Sequence, residues 1–141
     1  MQKMAYNKFI LKEIRFTKIF KALSDENRLR IIKLLLDCPK SICVCEIVDA
    51  LKLPQYQVSK QLNILKNAGL VQCESRGKWA YYSLSQHGDS VHASLFKFIK
   101  EGLKNPKFAE DQENLRARLF LREGDFCIVG FTKKRRKNEK A

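Results

Sequence analysis

Two cysteines separated by a single residue, Cys43 and Cys45, are the side chains of this sequence with the clearest potential for chemistry. Thiolates are soft ligands that select soft metal ions, and the thiolate is also the nucleophilic form of cysteine. The pair lies where a short helix is predicted to begin, and the N-terminus of a helix lowers the pKa of a thiol. The pair is therefore a candidate site for binding a soft ion or for thiol chemistry.

The spacing of the two cysteines sets a geometric condition. Each residue of a regular helix advances by about 100°, so residues two apart diverge by about 200°. We therefore expect Cys43 and Cys45 to flank the buried stripe of the helix. They could share an ion only if its first turn is distorted.

The other three cysteines have simpler expected roles. Five cysteines is an odd number, and thiols of a cytosolic protein are expected to be reduced. Cys38 lies at the C-terminal end of a predicted helix, which disfavours a thiolate. Cys73 lies on a predicted strand and is expected to be structural. Cys127 lies between two apolar residues, so burial is the simplest expectation for it.

The composition favours a polyanionic partner. The 28 Lys and Arg exceed the 15 Asp and Glu, which gives a net charge of +13 and points to nucleic acid ahead of a membrane or an acidic protein. Part of the charge is the basic run 133–137, a pattern typical of a solvated tail. The sequence has neither an apolar run near the roughly 20 residues of a membrane span nor a signal peptide. We therefore expect a cytoplasmic protein without membrane contact.

Apolar periodicity and capping residues predict a mainly α chain with one small β-hairpin. The tripeptide Ser24–Glu26 is a predicted N-cap for the second helix, Ser41 for the third, and Gly69 suits the C-cap of the fourth. Asn105 and Pro106 are expected to close the fifth helix. The predicted helices span about 6–22, 26–36, 44–52, 54–67, 89–103 and 108–121, the hairpin covers 70–84, and 126–131 is expected to be extended.

The order short helix, turn, helix and hairpin predicts a winged helix-turn-helix fold. In that fold the second helix of the pair enters the major groove and the hairpin, or wing, contacts phosphate or the minor groove. The predicted recognition helix has an apolar inner stripe of Val58, Leu62 and Leu65. The candidate DNA-binding residues are the polar side chains of this helix and of the wing tip: Gln55, Gln57, Ser59, Lys60, Gln61, Asn63, Arg76 and Lys78.

The fifth predicted helix has two adjacent apolar stripes, which exceed what one small core needs. We therefore expect part of it to bury against a second subunit, which predicts a homodimer. The expected organisation is a DNA-binding and dimerisation domain over 1–105, followed by a C-terminal extension with the basic tail over 106–141.

Three blocks in order carry a family resemblance: 20–32 (FKALSDENRLRII), 59–71 (SKQLNILKNAGLV) and 77–84 (GKWAYYSL). Together they resemble the ArsR/SmtB family, dimeric winged-helix repressors that release operator DNA when they bind a metal or metalloid. The resemblance spans about 14–84, roughly half of the chain. Two positions depart from the family pattern: Asn27 stands where Pro or Thr is common, and Gln61 stands where His is common.

The segment from Cys43 to Ile47 resembles the Cys-Val-Cys-Asp-Leu signature of the arsenic- and antimony-responsive branch of that family. The resemblance implies trivalent arsenic or antimony as inducer, with cadmium or another soft metal as the nearest variant. In that branch a third Cys follows, and Val48 occupies its position here. Our hypothesis is that Cys127 supplies the third sulfur, from the same chain or from the partner subunit. Cys38 is the alternative.

Two other interpretations stay open. The first is a redox switch, in which Cys43 forms a disulfide or persulfide with another thiol. The second is a scaffold protein that has lost DNA binding. The sequence contains no phosphate-binding glycine loop, serine elbow or metal-hydrolase motif, so we expect neither an enzyme nor an organic cofactor.

Overall fold

The computed structural model describes residues 15–86 and 90–130. Predictions that fall on 1–14, on residue 89 at the start of the fifth predicted helix, on residue 131 or on the basic run 133–137 lie outside these residues. The helices are α1 (15–23), α2 (Glu26–Asp37), α3 (Val44–Leu51), α4 (Gln55–Asn67), α5 (Ser90–Gly102) and α6 (Pro106–Leu119). The strands are β1 (Ile42–Cys43), β2 (Val71–Arg76) and β3 (Trp79–Leu84).

The ends of α2 and α4 form as the local sequence predicts. The Asp25 carboxylate caps α2 by accepting a hydrogen bond from the Asn27 backbone N–H at 3.2 Å. Gly69 directly follows Ala68, the C-cap of α4. Its φ of +78° is a left-handed conformation that costs glycine little. The N–H groups of Gly69 and Leu70 then donate to the carbonyls of Lys66 and Leu65, which closes the helix.

The start of α3 differs from the prediction. Ser41 is not its cap: the N-cap is Cys43, in an extended conformation with φ −72° and ψ 155°. Cys43 also ends β1, a short strand that the sequence analysis missed, and pairs with Tyr81 of β3. The pairing holds this residue in the sheet, so the helix begins only at Val44.

The wing is an antiparallel hairpin whose last strand pair is Arg76 with Trp79. Gly77 and Lys78 alone form its turn, and Gly77 has φ +60°. The sheet order is β1-β3-β2, so β3 lies between the other wing strand and the residues that precede α3.

The core lies where α2, α3 and α4 meet. Val58, Leu62 and Leu65 are fully buried, which confirms the predicted inner stripe of α4. Ile31 and Ile32 of α2 are equally buried in the same cluster. None of the helices in the described part of the chain is long and apolar enough to span a membrane.

The C-terminal extension packs back onto the helix-turn-helix. Contrary to the prediction, Asn105 and Pro106 do not close α5. Asn105 is instead the N-cap of α6, and Pro106 is the first residue of that helix. The Asp111 carboxylate of α6 accepts two hydrogen bonds of 2.8 Å from the buried Arg30 of α2. After α6, Glu123 and Phe126 close a turn, and 127–130, within the predicted extended segment 126–131, belongs to no helix or strand.

The Arg30–Asp111 pair gives a stability prediction. Asp111→Ala leaves the Arg30 guanidinium buried without its carboxylate, which should lower the free energy of unfolding by about 3–5 kcal/mol. Urea denaturation measures this change. Glu113→Ala, at an exposed position of the same helix, is the matched control and should change stability by less than about 0.5 kcal/mol. Equal effects of the two substitutions would contradict the anchoring role of the pair.

Candidate thiol site and nucleic-acid interface

Three buried sulfurs converge in the fold. The Sγ atoms of Cys43, Cys45 and Cys127 all lie within 4.8 Å of one another, and all three residues are buried. The expectation that Cys43 and Cys45 diverge was wrong, because Cys43 is not on the helix: it extends from β1, while Cys45 occupies the first turn of α3. Within the described residues, this cluster includes neither Cys38 nor Cys73.

Residues of α6 and of the segment after it hold Cys127 against the other two thiols. The Cys127 backbone N–H donates to the Tyr81 hydroxyl at 2.9 Å, and Tyr81 belongs to the wing strand β3. The buried Arg118 side chain pairs with Asp49 of α3 at 2.6 Å and also donates to the Val129 carbonyl. The helix-turn-helix and the wing thus fix both ends of this short segment.

A fully buried carboxylate, Glu46, connects the extension to the start of α3. Glu46 accepts hydrogen bonds of 2.7 Å on both oxygens from Arg122, and one of 2.9 Å from the Cys43 backbone N–H. Arg122 also donates to the Ser41 carbonyl at 2.7 Å. The same ion pair therefore satisfies a buried charge and sets the backbone of Cys43. No local sequence pattern links residues so far apart along the chain, and the sequence analysis missed Glu46, Arg118, Arg122 and Tyr81.

The three thiols of the cluster differ in pKa. Hydrogen bonding with Cys43 lowers the pKa of Cys45 to about 7; Cys127 and the positive charge of Arg118 add to this lowering, although burial opposes it. The hydrogen bond with Cys45, together with burial, raises the pKa of Cys43. Burial, followed by the hydrogen bond with Cys45, raises the pKa of Cys127 to about 11. Cys45 is therefore the thiol of the cluster that loses its proton most readily.

This arrangement suits two kinds of chemistry. With metal–sulfur bonds of about 2.3 Å, two thiolates on one tetrahedral ion lie about 3.8 Å apart. The Sγ atoms of Cys45 and Cys127 are already 3.5 Å apart, so the residues present fit a soft ion held by sulfur. The same proximity of a thiolate to a thiol is what disulfide formation needs.

The outer face of α4 presents most of the predicted DNA-binding side chains. Gln55, Lys60 and Asn63 are exposed, while Gln57 and Ser59 are half-buried. Tyr56, which was not among the predicted contacts, is 73% exposed on the same helix.

Gln61 does not belong to this outer face. Its side chain is buried, its Oε1 accepts a 2.6 Å hydrogen bond from Arg28 of α2, and its Nε2 donates to Gln57. The prediction of Gln61 as a DNA contact therefore conflicts with its position. It faces the protein interior because it lies three residues after Val58 and four before Leu65, on the buried side of α4.

The two predicted wing residues are placed differently. Lys78 is exposed at the turn, with its Nζ 4.9 Å from the centre of the Trp79 ring. Arg76 is half-buried: it lies 4.8 Å from the centre of the Tyr81 ring and donates to Glu74 at 3.2 Å.

The helix pair α3–α4 with the β2–β3 wing defines a winged helix-turn-helix DNA-binding regulator, here with a buried thiol cluster at the start of α3. The chain belongs to the arsR family of bacterial regulatory proteins. The model of that family matches residues 25–72.

Individual relatives are consistent with this family. An uncharacterized HTH-type transcriptional regulator of Methanocaldococcus jannaschii is 51% identical over 46% of this chain and 72% of its own length. The arsenical resistance operon repressor of Escherichia coli is 40% identical over 60% of this chain and 68% of its own length. The solved structure of reduced HlyU from Vibrio cholerae matches with a TM-score of 0.55 and 27% identity, covering 74% of this chain and 100% of that one.

The unequal pKa values give a prediction for the free protein. Cys43→Ala removes the hydrogen bond that contributes most to the lowering at Cys45, so the pKa of Cys45 should rise above its value of about 7. Ultraviolet absorbance of the thiolate, followed against pH, measures the shift. Cys73→Ala lies outside the cluster and should leave this titration step in place. A step near neutral pH that survives Cys45→Ala would contradict the assignment of the thiolate.

Proposed function

We propose that this protein is a transcriptional repressor that binds operator DNA as a homodimer and releases it when trivalent arsenic or antimony binds the thiolates of Cys43, Cys45 and Cys127. The observation that supports this proposal most strongly is the convergence of these three sulfurs within 4.8 Å. Val48 lacks the thiol that the family signature has at that position, and Cys127 of the same chain brings a sulfur to the cluster. The similar E. coli protein is an arsenical resistance operon repressor.

The position of the cluster suggests how an ion would affect DNA binding. Cys43 pairs with Tyr81 of the wing strand, and Cys45 lies in the first turn of α3, which packs against the recognition helix α4. The three sulfurs lie within 4.8 Å of one another, and an ion that held every pair about 3.8 Å apart would shift β1 and the start of α3 relative to α4 and the wing. The two DNA-contacting elements would then lose the relative position that fits the operator.

The DNA contacts that we propose lie on α4 and the wing. Gln61 is left out because its amide is bonded inside the protein, and Tyr56 is added because it is exposed on the same face. The proposed set is Gln55, Tyr56, Gln57, Ser59, Lys60 and Asn63 on the helix, with Arg76 and Lys78 on the wing.

We further propose that α5 forms the homodimer interface and that the chain divides at 105/106. Phe98 of α5 is 63% exposed, and Val91 is exposed beside it. Both line an open apolar cavity of about 420 Å³ with Leu95, a surface that favours burial against a second copy. Residues 1–105 would bind DNA and dimerise, and residues 106–141 would position Cys127.

A redox switch is the second candidate, and the distance of 3.5 Å between the Cys45 and Cys127 sulfurs favours it. The Cys45 thiolate would attack hydrogen peroxide, break the O–O bond and become a sulfenic acid with release of hydroxide. The Cys127 thiol would then displace water and form the disulfide. We therefore propose a disulfide between Cys45 and Cys127 in place of the predicted disulfide of Cys43 with another thiol. The similar HlyU structure is of the reduced protein.

Operator release by arsenite tests the proposed function. Each of Cys43→Ser, Cys45→Ser and Cys127→Ser should lower arsenite affinity by more than the roughly 10–100-fold that loss of an outer-shell partner costs. Fluorescence anisotropy of a labelled operator, titrated with arsenite, cadmium and peroxide in parallel, measures release. Cys38→Ser and Cys73→Ser are matched controls outside the cluster. If arsenite still releases the operator from Cys127→Ser, the three-sulfur site is wrong. If only peroxide releases the operator, the redox switch is favoured.

Two substitutions on α4 should have different effects on operator binding. Lys60→Ala should weaken binding about equally for all sequences and reduce the slope of log affinity against log salt by about 1. Asn63→Ala should instead cost about 1–3 kcal/mol on the operator and relax discrimination between bases. Gel shifts at several salt concentrations separate the two effects. Lys104→Ala, an exposed residue beyond α5, is the control and should change neither quantity.

A further inference from the structure

A cavity of about 220 Å³ connects the thiol cluster to the DNA-binding face. Cys43 and Cys45 line its inner end, with Val44 beside them. Gln55, the first residue of the recognition helix, and Lys78, at the turn of the wing, line the same cavity and are both exposed. We call this cavity the mouth of the thiol cluster, because it lies between the protein surface and two cysteines that are at most 2% exposed.

Another part of the cluster is covered by the chain itself. Cys127 Sγ lies 3.4 Å from the Val129 carbonyl oxygen, and the Arg118 guanidinium donates to that oxygen and to the carbonyl of Gly130. Tyr81 is buried against the same segment. A small molecule that approached from this side would have to displace a segment that ion pairs and hydrogen bonds hold in place. On the side of the mouth, Cys43 and Cys45 line a cavity that Gln55 and Lys78 also line.

The outer rim of the mouth consists of residues that also belong to the proposed DNA contact surface. The start of α4 and the turn of the wing lie on its two sides, and a duplex that contacts both must pass over the space between them. A major groove of about 12 Å admits a helix only if the two phosphate backbones pass close beside it. DNA docked on α4 and the wing would therefore cover the mouth.

We propose that the inducer reaches the thiols through this mouth, so that bound operator DNA closes the site and the inducer enters only the DNA-free repressor. This inference rests on the proposed function for the identity of the inducer and of the DNA face. Its consequence is kinetic. The ion does not dissociate the repressor–operator complex; it captures repressor that has left the operator and prevents its return.

Labelling of the cluster with N-ethylmaleimide tests the closure without any arsenic. In the free protein, the modification rate of Cys43 and Cys45, followed by peptide mass spectrometry, should be proportional to the maleimide concentration. In the complex with saturating operator, only repressor that has left the operator should react, so the rate should fall to that of the free protein multiplied by the fraction of repressor that is free, which is set by the operator dissociation constant. It should then be at least tenfold slower than in the free protein. Labelling of the complex at the rate constant of the free protein overturns the proposal.

Cys38 is the internal control in the same experiment. It lines a separate groove between α2 and α6, together with Leu34 and Leu115. Its labelling rate should be the same with and without operator. Protection of Cys38 equal to that of Cys45 would indicate general stiffening of the protein and would also overturn the proposal.

A variant tests the route in the absence of DNA. Lys78→Ala removes the side chain that lies over Trp79 at the rim, so labelling of the cluster in the free protein should accelerate several-fold. Arsenite association and dissociation should accelerate by the same factor and leave the equilibrium affinity unchanged, because the substitution alters the route and not the ligands. Lys66→Ala, exposed at the far end of α4, is the matched control and should leave the labelling rate unchanged. An unchanged rate in Lys78→Ala excludes this route.

The outcomes separate this inference from the proposed function. Protection from maleimide in a protein that binds no arsenite supports the mouth and rejects the arsenic-responsive function. Arsenite that releases operator at equilibrium, combined with unprotected thiols in the complex, supports the function and rejects closure by DNA. With both correct, the rate of operator release should level off at the spontaneous dissociation rate as arsenite increases.

Discussion

The buried carboxylate of Glu46 is the constraint on which the rest of the site depends. A charge taken fully out of water needs a countercharge and hydrogen bonds on both oxygens, and Glu46 obtains them from Arg122 and from the Cys43 backbone N–H. The first contact fastens the segment after α6 to the start of α3. The second fixes Cys43 as the N-cap. Cys127 follows Arg122 by only five residues. The ion pair between Arg122 and Glu46 therefore also brings the sulfur of Cys127 close to those of Cys43 and Cys45.

The thiol cluster and the DNA face share parts of the same backbone. Cys43 is hydrogen-bonded into the sheet of the wing, Cys45 begins the first helix of the helix-turn-helix, and the space between them and the surface ends at Gln55 and Lys78. This shared backbone is the route by which we propose that an ion at the sulfurs affects operator binding. Linkage then requires the effect to be reciprocal, since an ion that weakens DNA binding must itself bind less well to the complex.

The parts of the fold that local sequence governs agree with prediction, and the parts that depend on distant partners do not. The Asp25 cap and the Gly69 helix end need only residues a few positions away, so their chemistry is visible in the sequence. Cys43 was placed on the helix because the pairing of β1 with Tyr81 is non-local. Gln61 was predicted to face outward. In the structure its side chain is hydrogen-bonded to Arg28, a partner 33 positions earlier that the local sequence does not reveal. In both cases a distant contact decided the orientation of the side chain.

The sequence by itself indicated the family, through the resemblance of three blocks in order. It also determined the winged helix-turn-helix and most of the polar face of the recognition helix, because helix periodicity, caps and turns are short-range properties of the chain. It also indicated the chemistry of Cys43 and Cys45 and named Cys127 as the missing sulfur. Only the tertiary structure decided that Cys43 and Cys45 face the same point without distortion, that Cys127 of the same chain lies beside them, and that Cys45 has the lowered pKa. These properties arise from buried charges and hydrogen bonds between residues about 80 positions apart, a separation at which sequence pattern carries no geometric information.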